Sequence, residues 1–184
     1  MLKVLIVGKS SKVFSVIEKK FNKHFELYAC SHRELVNYSK QPFDLVLILS
    51  LAPTINGNQV LFQEIYKSIR STKFVYLSSV VCSLKKYQDK FKYIKLKIEA
   101  EKSFLLTFKD LKKYILRCGV ITNLENEYPI TTSPCVIATK LNNLTDEISI
   151  LYKKSFTRQP PYFYRILLKF ELFYFARFFD LFFR

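Results

Sequence analysis

The chain has 184 residues, 49% of them apolar and 24% charged, with a formal net charge of +15. That length fits one domain, or one domain plus an appendage, and the apolar fraction excludes a disordered chain. The basic excess fits abundant solvated lysine as well as it fits phosphorylated ligands, an anionic membrane surface or nucleic acid; with no long uninterrupted basic block, a nucleic-acid-binding tail is not indicated.

Leu2 to Val7 is a short apolar run rich in β-branched residues, the mark of a strand buried on both faces of a parallel sheet. It is too short, and lacks the cleavage-like flank, for a secretory signal. Gly8 ends it, and Ser10 and Ser11 offer caps for a helix whose apolar positions are Val13, Phe14, Ile17 and Phe21. Phe25 to Ala29 reads as a second strand and His32 to Tyr38 as a short helix. Leu45 to Leu49, opened by Asp44, is a third strand. Ala52 to Asn58, with Pro53 and Gly57, reads as a loop before a helix marked by Val60, Leu61, Ile65 and Ile69. Phe74 to Leu77 is a fourth strand, ending at Ser78 and Ser79. A long helix is predicted over about Asp89 to Phe108. Tyr114 to Leu116 is a fifth strand, closed by Arg117, Cys118 and Gly119.

Strands alternating with helices predict an α/β fold: a shortened Rossmann-type, doubly wound parallel sheet with a small C-terminal helical appendage. Ligands of such sheets bind at the carboxyl ends of the strands. The expected division is a dinucleotide-binding domain over residues 1–121, a reduced lobe over 122–161 and an aromatic basic helix over 162–184. The middle part reads as loop with one strand near Cys135 to Ala138, then a helix capped by Thr145 and broken by Pro160 and Pro161. The last part, Tyr162 to Arg184, carries phenylalanines around a stripe of Arg165, Lys169, Arg177, Asp180 and Arg184. Charges interrupt it too often for a membrane span, which leaves packing or homodimerisation, or a peripheral seat at the inner membrane face. Cys30, Cys82, Cys118 and Cys135 form no CxxC pair and have no histidine at metal-ligand spacing. No metal site is expected, and reduced thiols suit a cytoplasmic protein.

Three segments carry candidate chemistry. In Gly8-Lys9-Ser10-Ser11-Lys12-Val13-Phe14, a turn after a buried strand lets backbone amides approach a phosphate; an ordinary strand-to-helix turn is the alternative. In Ser31-His32-Arg33, an arginine after the second strand suits a ribose 2′-phosphate, where an acid would suit the free hydroxyl; a surface arginine is the alternative. Ser78-Ser79 precedes Tyr93-Ile94-Lys95-Leu96-Lys97, a YxxxK pattern that puts a phenol and an ammonium on one helical face; a solvated face is the alternative.

The order of strand, Ser-Ser, YxxxK, Glu99-Ala100-Glu101, strand and Leu116-Arg117-Cys118-Gly119 resembles the extended short-chain dehydrogenase/reductase superfamily. The likeness is to nucleotide-sugar epimerases and 4-keto-6-deoxy-sugar reductases, in a reduced and degenerate form, over roughly residues 1–121. The first turn looks like their G-K-T-G-Q-V-G segment, with Ser11 and Phe14 at the second and third glycines. The resemblance implies an NAD(P)-dependent oxidoreductase or epimerase acting on a nucleotide-linked sugar carbonyl, in polysaccharide biosynthesis. Tyr93 would be the acid/base, Lys97 its electrostatic partner and ribose holder, and Ser79 the hydroxyl that orients substrate, with Ser78 as the fallback. Gly8, Ser10, Ser11, Arg33, Ser50 and Ala52 would touch the cofactor, NADP(H) in preference to NAD(H). Against this stand a missing strand–helix unit before Asp44, a short stretch between Ser79 and Tyr93, and the small lobe after Gly119. A non-catalytic Rossmann pseudoenzyme serving as a binding or assembly partner, with or without a cofactor, is therefore the rival reading.

Overall fold

In β1 (Leu2–Val7), Val4, Leu5, Ile6 and Val7 are all fully buried. A strand with consecutive buried residues must be covered on both faces. The structure, a computed structural model that describes residues 1–79, 82, 89, 91–118, 120–122 and 138–140, supplies both covers. The elements that follow are α1 (Lys12–Phe21), β2 (Phe25–Cys30), a 3-10 helix (His32–Tyr38), β3 (Pro42–Phe43), β4 (Leu45–Ile48), α2 (Ile55–Ser68) and β5 (Arg70–Ser71). Then come β6 (Lys73–Ser79), α3 (Lys92–Thr107), β7 (Lys112–Cys118), β8 (Val120–Thr122) and β9 (Ala138–Lys140).

Five strands form one parallel sheet in the order β2-β1-β4-β6-β7. The chain leaves β1 for β2 on one side and returns past β1 to β4 on the other, so the topological switch falls between β1 and β4. Between β2 and β4 lie the 3-10 helix and the two-residue β3, and β2 is left as an edge strand of this sheet. Asp44 sets the start of β4: its carboxylate accepts from the Lys3 N–H at 2.8 Å, and its own N–H donates to the Lys3 carbonyl at 3.0 Å. β3 pairs with β5, and β8 with β9, as two small parallel ladders.

Alternate residues of the strands feed two cores. Val4, Ile6, Leu45, Leu47 and Val75 join Phe14, Ile17 and Phe21 of α1. Leu5, Val7, Val46, Ile48, Phe74 and Tyr76 join Phe62 and Ile65 of α2 and Ala100 and Phe104 of α3. The second core is strongly aromatic. Phe62 meets Tyr76 edge-on at 5.3 Å between centroids and Phe104 at 5.7 Å, and Phe74 lies 4.5 Å from Phe108. Such pairs add to what burial alone contributes.

Two sequence expectations need correction. The Ala52–Asn58 loop is shorter than expected, because α2 begins at Ile55. Thr54 caps it by accepting the Gly57 N–H at 3.0 Å. The long helix begins at Lys92 rather than near Asp89. The expected helix after Thr145, the aromatic segment 162–184, the Gly119 turn and residues 135–137 lie outside the described residues. Of the expected strand near Cys135, Ala138 starts β9. Among the described residues no helix is long and apolar enough to cross a membrane.

Phe104 is fully buried, whereas Leu106, two residues on, is 73% exposed. Phe104→Ala is expected to cost about 3–5 kcal/mol in chemical denaturation, and Leu106→Ala no more than about 0.5 kcal/mol. Equal losses would contradict the placement of α3.

Candidate functional site

The carboxyl ends of β1 and β4 and the segment after β2 enclose a crevice of about 490 Å³. Gly8, Ser10, Ser31, His32, Arg33 and Ser50 supply its polar side, and Leu51, Ala52, Gly57 and Leu61 complete it. Gly8 makes the turn possible. Its φ of +121° lies where side chains are strained, and a Cβ there would fall 2.8 Å from Ser50 Oγ and 3.0 Å from Ser50 N. The N–H groups of Gly8 and Lys9 both donate to the Cys30 carbonyl, at 2.8 and 3.1 Å, tying the turn to the end of β2.

Of the residues the sequence assigned to a cofactor, Gly8, Ser10, Arg33, Ser50 and Ala52 meet at this crevice. Ser11 is not among its lining: its Oγ accepts the Val13 N–H at 3.1 Å and caps α1. Phe14, at the third glycine position, is buried in the α1-side core. Ser50 is fixed by Val7, whose carbonyl accepts from its N–H at 3.2 Å and its Oγ at 3.3 Å.

Sequence reasoning missed Asn58. It is fully buried at the start of α2, accepts the Ala52 N–H at 2.9 Å, and donates to the carbonyls of Ala52 at 3.1 Å and Thr54 at 2.8 Å. A buried amide with these bonds holds one wall of the crevice. It also missed Glu34, whose carboxylate accepts the Ser31 N–H at 2.7 Å and the Ser31 hydroxyl at 2.9 Å. The signal was available: Ser31-His32-Arg33-Glu34 has the S-x-x-E spacing of a helix capping box.

A second polar group lies where β6 meets α3. A side-chain hydrogen bond joins Ser79 to Tyr93, and Tyr93 is 52% exposed. Burial of part of the ring raises the Tyr93 phenol above its ordinary range, and the Ser79 bond offsets this only in part. Near neutral pH Tyr93 therefore holds its proton. Lys97, one turn on, is buried; its Nζ donates to Tyr76 Oη at 3.2 Å and the Leu77 carbonyl at 3.5 Å and sits 5.1 Å from the Tyr76 ring centre. Burial lowers the Lys97 ammonium below its ordinary range.

Beneath them Glu101, also buried, takes two bonds from Arg117, Nε to Oε1 at 2.9 Å and Nη2 to Oε2 at 2.5 Å. Ser78 and Cys82 bond to the same carboxylate, and Ser78 Oγ lies 3.4 Å from Cys82 Sγ. Burial alone would raise the Glu101 carboxyl; the Arg117, Ser78 and Cys82 bonds outweigh it and hold the group below its usual range. Ser78, the fallback serine, thus belongs to this buried network, which leaves Ser79 beside Tyr93. Burial pushes the Cys82 thiol up to about 11, so it is no nucleophile. Among the described residues no cluster of histidine, cysteine, aspartate or glutamate could hold a metal ion.

The fold has known counterparts. A capsular polysaccharide assembling protein from Staphylococcus aureus matches with a TM-score of 0.59 at 10% identity, over 85% of this chain and 50% of that one. A human epimerase family protein solved with NADPH matches at 0.57 and 13% identity, over 79% and 68%. A UDP-N-acetylglucosamine 4-epimerase from Bacillus cereus matches at 0.58 and 16% identity, over 84% and 74%. This chain therefore spans only half of the first of these. At such identities the likeness establishes a Rossmann-like α/β fold. No protein-family model matches the chain, and no curated protein does.

Arg117→Ala would strand the Glu101 carboxylate in the protein. We expect a loss of about 3 kcal/mol at neutral pH, at the low end for a broken buried pair because Arg117 reaches solvent. Because the folded Glu101 group is held below its unfolded value, the stability it contributes is present above the ordinary carboxylate range. It is lost as pH falls through the lowered value. The deficit of the variant should shrink in acid; a pH-independent deficit would contradict the pairing.

Proposed function

We propose that this chain is an NAD(P)-dependent oxidoreductase or epimerase-type protein acting on the carbonyl of a nucleotide-linked sugar. The observation that carries this reading is the convergence of Gly8, Ser10, Arg33, Ser50 and Ala52 on one crevice at the topological switch point. The fit to a dinucleotide is chemical and dimensional. The lining offers hydroxyls and a guanidinium for phosphate and ribose oxygens, with Leu51 and Leu61 for a base or ring. From the segment after β2 to Tyr93 beside β6 is three strand spacings, about 14 Å at ~4.8 Å each, the reach of an extended dinucleotide.

In this reading the cofactor is NADP(H) in preference to NAD(H), because Arg33 suits a ribose 2′-phosphate. The human neighbour was solved with NADPH. The nicotinamide would supply hydride transfer when bound. Tyr93, protonated near neutrality, is set to donate to a carbonyl oxygen, and Ser79 hydrogen-bonds both Tyr93 and that oxygen. Lys97 adds positive potential from beneath, through Tyr76.

One observation favours a second reading, a non-catalytic Rossmann scaffold. Lys97 is already engaged by Tyr76 and Leu77 inside the protein, whereas a catalytic lysine must serve Tyr93 and the cofactor ribose. In that case the crevice binds a nucleotide without turnover, and the segment 162–184 makes the functional contact with a partner or membrane surface.

Calorimetric titration separates these readings. NADPH is expected to saturate the protein, and Arg33→Ala to weaken NADPH by roughly tenfold or more while leaving NADH little changed. Tyr93→Phe should keep NADPH affinity and abolish turnover of a 4-keto nucleotide sugar. Binding without turnover in the wild type favours the scaffold, and no binding of either cofactor at millimolar concentration sinks both dinucleotide readings.

A further inference from the structure

Two segments that line the crevice are joined by one ion pair. Lys9 follows Gly8, and Glu34 follows Arg33. Lys9 Nζ lies 2.5 Å from Glu34 Oε1, while Oε2 accepts the N–H and hydroxyl of Ser31. Both oxygens of Glu34 are thus occupied, and its charge is matched at contact distance. The Lys9 ammonium, then the Ser31 bonds, push the Glu34 carboxyl down to about 2, so it stays ionised and paired across the working pH range. Side-chain exposures of 44% and 36% mean the pair adds little to fold stability. Its chemical consequence is local.

A carboxylate beside Arg33 can do two things to a ribose. It can accept a hydrogen bond from a free 2′-hydroxyl, and it can repel a 2′-phosphate. Neutralised by Lys9 and turned onto Ser31, Glu34 does neither. We propose that the Lys9–Glu34 pair sets the cofactor preference of the crevice, masking the acid that follows Arg33 in the chain so that a phosphorylated ribose is accepted and a free ribose gains no partner in that carboxylate. This rests on the cofactor reading above.

The test is calorimetric titration of NADPH and NADH with the wild type, Lys9→Met, Glu34→Gln and the double variant. Glutamine can still accept from Ser31 through its amide oxygen, so the capping arrangement survives while the charge goes. The readout is the ratio of the two dissociation constants, which cancels any contact Lys9 makes with the phosphates common to both cofactors. Lys9→Met is expected to move that ratio toward NADH by roughly five- to tenfold, the effect of one unmasked charge in a partly screened site. Glu34→Gln alone should hold or widen the NADPH preference, and the double variant should return to the wild-type ratio. A ratio unchanged in Lys9→Met, or not restored in the double variant, overturns the pair as the determinant and leaves the cofactor site standing. Absence of NADPH and NADH binding in the wild type overturns the reading on which the proposal rests.

Discussion

The close approach of the Gly8 turn to Ser50 constrains everything around the crevice. β1 and β4 are hydrogen-bonded neighbours, so their carboxyl ends emerge side by side, and the loops that follow compete for one small volume. The chain resolves this with a residue that has no side chain, in a backbone conformation that side chains resist. Ser50 then bonds back to Val7, and Lys9 and Gly8 bond to Cys30, so three strand ends are locked at one point. Asn58 extends the lock to the start of α2. A crevice braced this way presents its polar groups from rigid positions, as a binding site for a long, charged, flexible ligand requires.

The second polar group depends on a different constraint. Glu101, Lys97 and Ser78 are buried between α3 and the ends of β6 and β7, where charges are expensive unless paired. Arg117 resolves Glu101, and Tyr76 and the Leu77 carbonyl receive Lys97. Next to this buried network Ser79 and Tyr93 are hydrogen-bonded to each other, with Tyr93 half exposed. Both groups lie along the carboxyl edge of the sheet, three strand spacings (about 14 Å at ~4.8 Å each) from the segment after β2 to Tyr93 beside β6, within the reach of one elongated ligand.

Much of the fold was legible because a parallel sheet with two covered faces demands continuous apolar strands. Leu2–Val7, Leu45–Ile48 and Lys73–Ser79 carry that signal strongly. The start of α2 was misread because Pro53 and Gly57 punctuate loops in most chains. Here Gly57 sits in the first helical turn, where a Cβ would meet Thr54 Oγ1 at 2.8 Å and Ala52 Cβ at 3.0 Å. That Gly8, Ser10, Arg33, Ser50 and Ala52 come near one another was legible because topology brings strand ends together whatever their side chains. The partners of Lys97, Glu101 and Asn58 could not, because they depend on how α2 and α3 seat on the sheet, and spacing along the chain carries no record of that. Ser11 shows the same limit: the sequence marks it as a possible cap and a possible phosphate contact, and the structure uses it as the cap.

In the proposed function a dinucleotide spans the carboxyl edge from Arg33 to Tyr93. Backbone hydrogen exchange with and without saturating NADPH tests this most directly. Slowed exchange is expected at residues 8–11, 31–34 and 50–52, and at the start of α3 around Tyr93, with the amino ends of the strands unchanged. Protection confined to other surfaces, or none with NADPH bound, would contradict it.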